Sequence, residues 1–285
     1  MAIQFMVDGG ADLPTGFEEK HNIKVIPLNI HFGEEVFKSG VELTVEDYYR
    51  RVNAQDELPK TSAPSPNDFY ERFKEVDPET PILMLSLTKN LSATFQNAGI
   101  GKDMLLEEEP NRTIEIVNTK TASNGITLIL NEAIKLEHQG IDFDEIVEQA
   151  KSNVERTVTL FSLKTVENLI KGGRLDKVRG TIARTLNIKL LMKASDEGDI
   201  EVTEKVRGEK KALRRLVEQI GDYTKSLDGK MITIAQSNCE EKARQVLANI
   251  KDKYNQQEEI MVEMGPLIAT HAGEGGLVIS FLKDK

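Results

Sequence analysis

The chain has 285 residues, of which 39 % are hydrophobic and 29 % charged, and its formal net charge is −10. That length suits one large or two medium globular domains, and the acidity disfavours nucleic acid and anionic membranes as partners, because their phosphates repel it. No apolar run approaches the roughly 18 residues of a membrane-spanning helix, so no stable membrane insertion is expected, and a single cysteine, Cys239, excludes an intrachain disulfide and fits a reducing cytoplasm.

In chain order, residues 3–7 read as a buried strand that meets Asp8 at once, with no basic segment ahead of it as a secretion signal would have. A turn-rich stretch, 8–14, follows. Residues 23–30 form the second predicted strand, and Pro27 within it predicts an edge position or a bulge. Thr44-Val45-Glu46-Asp47 resembles a capping box opening a helix to about 53. Ser65-Pro66-Asn67-Asp68 offers a serine N-cap, proline at the first helical position and an early acid. The apolar run 82–87 predicts a strand buried on both faces. The polar loop 88–94 opens a helix at Ser92 that runs towards 107. A strand over 113–118 and helices over 122–138 and 144–156 complete the first block.

The second block starts with a strand over 158–162 and helices over 166–171 and 177–185. Strands over 188–193 and 200–206 are joined by a turn at Gly198. A helix over 209–225, a strand over 231–236, a helix over 240–254 and strands over 258–264 and 276–282 close the chain. The β-α alternation predicts mainly parallel sheets covered by helices, in two α/β domains spanning 1–155 and 156–285.

Ligands of open α/β sheets bind beyond the carboxyl ends of the strands. Three hydroxyl-rich segments precede predicted helices: 60–65, 88–94 and 118–125. Each helix start offers unpaired N–H groups and the positive end of a dipole, and Thr61, Ser62, Ser92 and Ser123 add neutral donors. Any one of these segments alone is also an ordinary N-cap. His271 lies in a glycine-rich loop, 265–276, just before the last strand, where glycine permits close backbone approach. Lys205, Arg207, Lys210, Lys211, Arg214 and Arg215 form a basic cluster, read either as a solvated helix face or as a docking patch. No Walker A sequence, complete G-x-G-x-x-G, G-x-S-x-G elbow or metal-ligand spacing is present, so no catalytic or metal site is expected.

At these segments the sequence resembles the DegV family. Asp8-Gly9-Gly10-Ala11-Asp12-Leu13-Pro14 is similar to its D-S-x-A-D-L-P, and Lys60-Thr61-Ser62-Ala63-Pro64-Ser65 to its K-T-S-Q-P-S. Leu91-Ser92-Ala93-Thr94-Phe95-Gln96 matches L-S-G-T-Y-Q, and Lys171-Gly172-Gly173-Arg174-Leu175 matches K-G-G-R-I. Asn187-Ile188-Lys189, Lys205-Val206-Arg207-Gly208 and Thr270-His271-Ala272-Gly273-Glu274-Gly275 continue the series. The resemblance implies a first, three-layer parallel-sheet domain and a second, two-layer mixed-sheet domain. It also implies a bound long-chain fatty acid of about 16–18 carbons, with no other cofactor and no catalysis by the chain itself. The carboxylate contacts it implies are Thr61, Ser62, Ser92 and His271. The partner it implies is a separate fatty-acid kinase subunit, to which the carboxylate is presented. Arg174 and Arg207 are expected to contact a partner or phosphate, or, for Arg174, simply to pair with a carboxylate. Gly9, Ala272 and Glu274 depart from the family pattern at serine, threonine and proline positions. The rival reading, by analogy with dihydroxyacetone kinase domains, is an enzyme acting on a small hydroxylated or phosphorylated substrate.

Burial of about 0.8 kcal/mol per methylene gives a sixteen-carbon tail on the order of 10 kcal/mol before ordering costs. The head group must have its oxygens hydrogen-bonded, and neutral hydroxyls are expected to do this without a buried counter-ion.

Overall fold

The structure is a computed structural model and describes residues 2–55, 57–175 and 187–284. The first part of the chain forms β1 (Gln4–Asp8), α1 (Phe17–Lys20), β2 (Lys24–Ile26), β3 (Asn29–Phe32), β4 (Glu35–Lys38), α2 (Val45–Asn53), β5 (Lys60–Ser62), α3 (Pro66–Lys74), β6 (Ile82–Ser86), α4 (Thr94–Glu108), β7 (Ile114–Asn118), α5 (Asn124–His138) and α6 (Phe143–Arg156). There follow β8 (Thr157–Ser162), α7 (Glu167–Lys171), β9 (Ile188–Ala194), β10 (Ile200–Arg207), α8 (Glu209–Glu218), β11 (Met231–Gln236), α9 (Glu240–Tyr254), β12 (Glu258–Glu263), α10 (Pro266–Ala272) and β13 (Leu277–Leu282). The helix predicted over 177–185 lies outside the described residues.

Four strands in the order β2-β1-β6-β7 make a wholly parallel sheet. Its strands are apolar on both faces, as burial between helices demands. Phe5, Val7, Leu83 and Leu85 face a core shared with α5 and α6, while Met6, Ile82 and Met84 face one shared with α3 and α4. Two predicted helix starts are present: Thr44 Oγ1 accepts from the Asp47 N–H at 3.1 Å, and Ser65 with Asp68 forms a full capping box ahead of Pro66.

Six strands in the order β10-β9-β8-β13-β11-β12 make a mixed sheet, in which only β11 and β12 run parallel. The mainly parallel arrangement expected from β-α alternation fails here, whereas the mixed sheet that the family resemblance implies for the second part of the chain is present. Alternation of strand and helix does not fix which end a connection returns from, and β9–β10 is a plain hairpin turning at Gly198, whose φ is 86°. Period-two alternation sends Val158, Leu160, Ile232, Ile234 and Phe281 towards α8 and α9. Phe161, Ala235 and Val278 point the other way, towards α7, α10 and a third sheet.

That third sheet, β4-β3-β5, is antiparallel and was not expected. The strand predicted over 23–30 is split by Pro27, which lacks the N–H a ladder needs. Its first piece, β2, is the edge of the parallel sheet, and its second, β3, pairs with Lys60–Ser62, the segment read as a loop. Strands of three or four residues are too short for their alternation to register.

Candidate functional site

A cavity lies beyond the carboxyl ends of the parallel strands, where the switch-point rule places ligands. Leu28, Leu87, Thr88 and the segment Thr121–Ser123 form one side of it. Phe161 and Leu163 from the end of β8, Ala194 and Ile200 from the β9–β10 hairpin, and Leu267 and Ile268 from α10 form the other. The hydroxyls along this wall are spent on protein partners. Thr121 Oγ1 and Thr159 Oγ1 are 2.8 Å apart, Thr159 Oγ1 and Ser280 Oγ are 2.9 Å apart, and Thr88 Oγ1 donates to the Gly198 carbonyl at 3.0 Å. Most of the cavity lining therefore presents carbon to a ligand.

One end is polar, lined by Thr61, Ser92, Arg174 and His271. Thr61 Oγ1 lies 3.0 Å from His271 Nε2, joining β5 to α10 across 210 residues of sequence. Burial, reinforced by the Arg174 guanidinium, pushes the His271 imidazole down to about 4. The ring is neutral at pH 7, and with its proton on Nε2 it donates to Thr61 Oγ1. That leaves the threonine O–H directed to an acceptor in the cavity. Ser92 Oγ stands 2.8 Å from Thr94 Oγ1 and accepts from the Thr94 N–H at 3.3 Å. The helix itself begins at Thr94, two residues later than expected. Beyond Thr61 and His271 is a surface depression whose charged lining is Lys60, Lys171 and Arg174 against the single acid Glu57. The hydroxyl–imidazole pair thus stands between an apolar interior and a basic mouth.

His271 was expected in a loop, but Gly265 and Pro266 start a short helix, α10, that carries it. Its close seat depends on Gly172. A Cβ there would lie 3.0 Å from both His271 Nδ1 and the Asn168 carbonyl oxygen. Gly172 is the C-cap of α7 and Gly173, at φ 75°, takes the left-handed position after it. The Gly173 N–H donates to Ile170 O and the Arg174 N–H to Leu169 O, which completes a Schellman motif. That turn folds Arg174 back so that Nε donates to the Leu91 carbonyl at 3.3 Å and Nη1 to that of Gly172 at 2.5 Å. Among the described residues its hydrogen-bond partners are carbonyls rather than a carboxylate, and its cation stands at the polar lining of the cavity.

Ser62 is not brought to the cavity. Adjacent strand residues point to opposite faces, and Ser62 Oγ instead sits 2.9 Å from His31 Nε2 and 3.4 Å from Asn29 Nδ2. Arg207 is not brought to the polar end either. It closes β10 and lines a groove between α8 and α9 with Lys210, Lys211 and Arg214. Of the departures from the family pattern, Ala272 lines the cavity, whereas Gly9 and Glu274 do not. The apolar lining residues Phe161, Leu163 and Leu267 carried no signal in the sequence, because a core strand or helix uses the same residue types. Among the described residues no cluster of three metal-ligating side chains occurs, and no helix is long and apolar enough to cross a membrane.

A family model described as an uncharacterised protein of the DegV family matches residues 2–284. A DegV domain-containing protein of Streptococcus pneumoniae is 30 % identical over 287 residues, covering 100 % of both chains. Among solved structures, a DegV family protein of Ruminococcus gnavus with vaccenic acid superposes with a TM-score of 0.90 at 28 % identity, covering 98 % of this chain and 99 % of that one. The Fatty Acid Kinase B3 protein of S. pneumoniae, loaded with linoleic acid, has a TM-score of 0.87 at 29 % identity over 100 % of both chains. A fatty-acid-binding DegV family protein of Streptococcus agalactiae has a TM-score of 0.85 at 30 % identity, again over 100 % of both.

Proposed function

We propose that this chain, which belongs to the DegV family, binds a long-chain fatty acid with its carboxylate at the polar end of the cavity and its tail along the apolar part. The observation that carries this reading is one cavity with two chemistries: a mostly apolar lining, and the polar side chains of Thr61, Ser92, Arg174 and His271. A carboxylate at that end accepts from the Thr61 and Ser92 hydroxyls. Arg174 supplies the counter-charge that a buried anion needs. The tail contributes about 0.8 kcal/mol per buried methylene.

The chain performs no chemistry on the acid itself in this reading. The carboxylate lies just inside the basic mouth formed by Lys60, Lys171 and Arg174, where a separate kinase subunit reaches it from the cytoplasm. The linoleic-acid-loaded Fatty Acid Kinase B3 protein, alike over its full length, supports that role.

Displacement of a fluorescent fatty acid by palmitate and by hexadecanol tests the head-group assignment. The two competitors share a sixteen-carbon tail and differ in the terminal group. Palmitate is expected to compete at least about 100-fold better, the worth of two charge-assisted hydrogen bonds at roughly 1.5 kcal/mol each. Equal competition would contradict a carboxylate site.

A further inference from the structure

The turn after β1 holds a buried carboxylate that does not line the cavity. Asp12 is 3 % exposed. One oxygen, Oδ1, accepts from the Gly265 N–H at 2.7 Å, and the other, Oδ2, accepts from the Ser123 hydroxyl at 2.5 Å. Its backbone carbonyl accepts from the Thr127 hydroxyl at 2.6 Å. Gly265 is the N-cap of α10, the helix that carries His271, and Ser123 is the N-cap of α5 and part of the cavity wall.

Three features mark these contacts as structurally demanding. Ser123 adopts φ 59° and ψ −136°, which side-chain-bearing residues rarely occupy, and its N–H donates to Gly10 O at 2.6 Å. Gly265 sits so close that a Cβ would lie 3.3 Å from Asp12 Oδ1. The carboxyl stays in a site dry enough for burial to push it up to about 7, although the hydrogen bonds from Ser123 and Gly265 oppose that rise. No charged side chain adds to this balance. Besides the Thr61–His271 pair and a hydrogen bond between the Tyr48 and Thr270 side chains, the Leu267 N–H donates to Ser39 Oγ at 3.1 Å, and Asn168 Nδ2 donates to the Thr270 carbonyl at 3.0 Å. Among the described residues, only Asp12 ties α10 to the first sheet's loop and α5 through one group.

We propose that Asp12 is the positioning residue of the head-group site: its two oxygens join the β1 turn, the start of α5 and the start of α10, and so set the seat of His271 against Thr61. This rests on the fatty-acid reading only for its effect on ligand. Its effect on His271 is independent of any ligand.

The test uses the full chain with Asp12→Ala, Asp12→Asn and Gly265→Pro. Asparagine keeps both contacts, accepting from Gly265 through Oδ1 and donating to Ser123 Oγ through Nδ2. Proline at 265 removes the N–H at a backbone φ of −63° that proline accepts, and its ring carbons crowd Asp12 Oδ1, which a Cβ there would approach to 3.3 Å. The first readout is the NMR titration midpoint of the His271 ring, which loosening of the helix moves and a general loss of stability does not. It is expected near 4 in the native chain and in Asp12→Asn, and shifted towards 6.5 in Asp12→Ala and Gly265→Pro. The second readout is affinity for a fluorescent fatty acid, expected to fall at least about tenfold in the same two variants and to stay within about threefold in Asp12→Asn. If Asp12→Ala does not fold, Gly265→Pro decides. A His271 midpoint unmoved in the folded variants overturns the proposal, as does an Asp12→Asn loss equal to that of alanine. A native chain without fatty-acid affinity overturns the ligand reading, while the midpoint still judges Asp12.

Discussion

Acid should weaken this fold through His271 in a way that one substitution removes. The folded ring titrates at about 4, against 6.5 for an unhindered histidine, because burial and Arg174 disfavour its charge. The folded state therefore binds no proton there above about pH 5, while the unfolded chain takes one up below 6.5. The stability associated with the neutral ring is complete above pH 6.5 and is lost as pH falls through the folded value. The separation is worth at most about 3 kcal/mol by pH 4, an upper value because the ring edge reaches solvent at the mouth. Asp8 and Asp12 act in the opposite sense. Burial pushes them up to about 6 and about 7, so their relative stabilisation is greatest at low pH and is lost as pH rises through those values. Urea unfolding of the native chain and of His271→Asn, each from pH 7.5 to 4.5, cancels the aspartates because both proteins carry them. The difference in unfolding free energy should be flat above pH 7 and shift by about 2–3 kcal/mol against the native chain by pH 4.5. Parallel profiles would mean that His271 titrates as an exposed residue and that the polar end is not enclosed.

Three further outcomes follow from the same geometry. Thr61→Val should weaken binding of a fluorescent fatty acid by about tenfold or more, whereas Ser62→Ala should leave it within about threefold, because only Thr61 faces the cavity. Gly172→Ala should weaken the same binding and also lower the thermal midpoint, because its Cβ crowds both His271 Nδ1 and the Asn168 carbonyl oxygen at 3.0 Å. Asn124→Ala should cost about 1–3 kcal/mol in urea unfolding, because its side chain donates to the Val278 carbonyl at 3.2 Å and accepts from Ser280 Oγ at 3.3 Å in a buried seam between α5 and the mixed sheet.

The sequence disclosed most where periodicity or capping chemistry is strong. The apolar run at Ile82–Ser86, the Ser65 capping box and the helix over Glu240–Tyr254 all appear where their patterns put them. It disclosed least where pairing is long-range. Nothing in Lys60–Ser62 announces a strand, because its ladder partner β3 lies some thirty residues away and is itself cut from β2 by Pro27. That hidden strand decides which of two neighbouring hydroxyls meets the ligand cavity, and so Thr61 and Ser62 were indistinguishable before the pairing was visible. His271 was legible as a residue of interest but not as part of a helix, since seven residues of α10 are too few to show a period. Asp12 was visible only as a letter in a motif. Its meaning depends on Gly265, 253 positions away.

Native mass spectrometry of the purified chain, followed by denaturing lipid extraction, tests the central claim most directly. The expected spectrum shows one long-chain fatty acid per chain, released on denaturation, with occupancy reduced when Thr61 is replaced by valine. A chain that carries no acid as isolated, and takes none up when offered palmitate, would contradict the account.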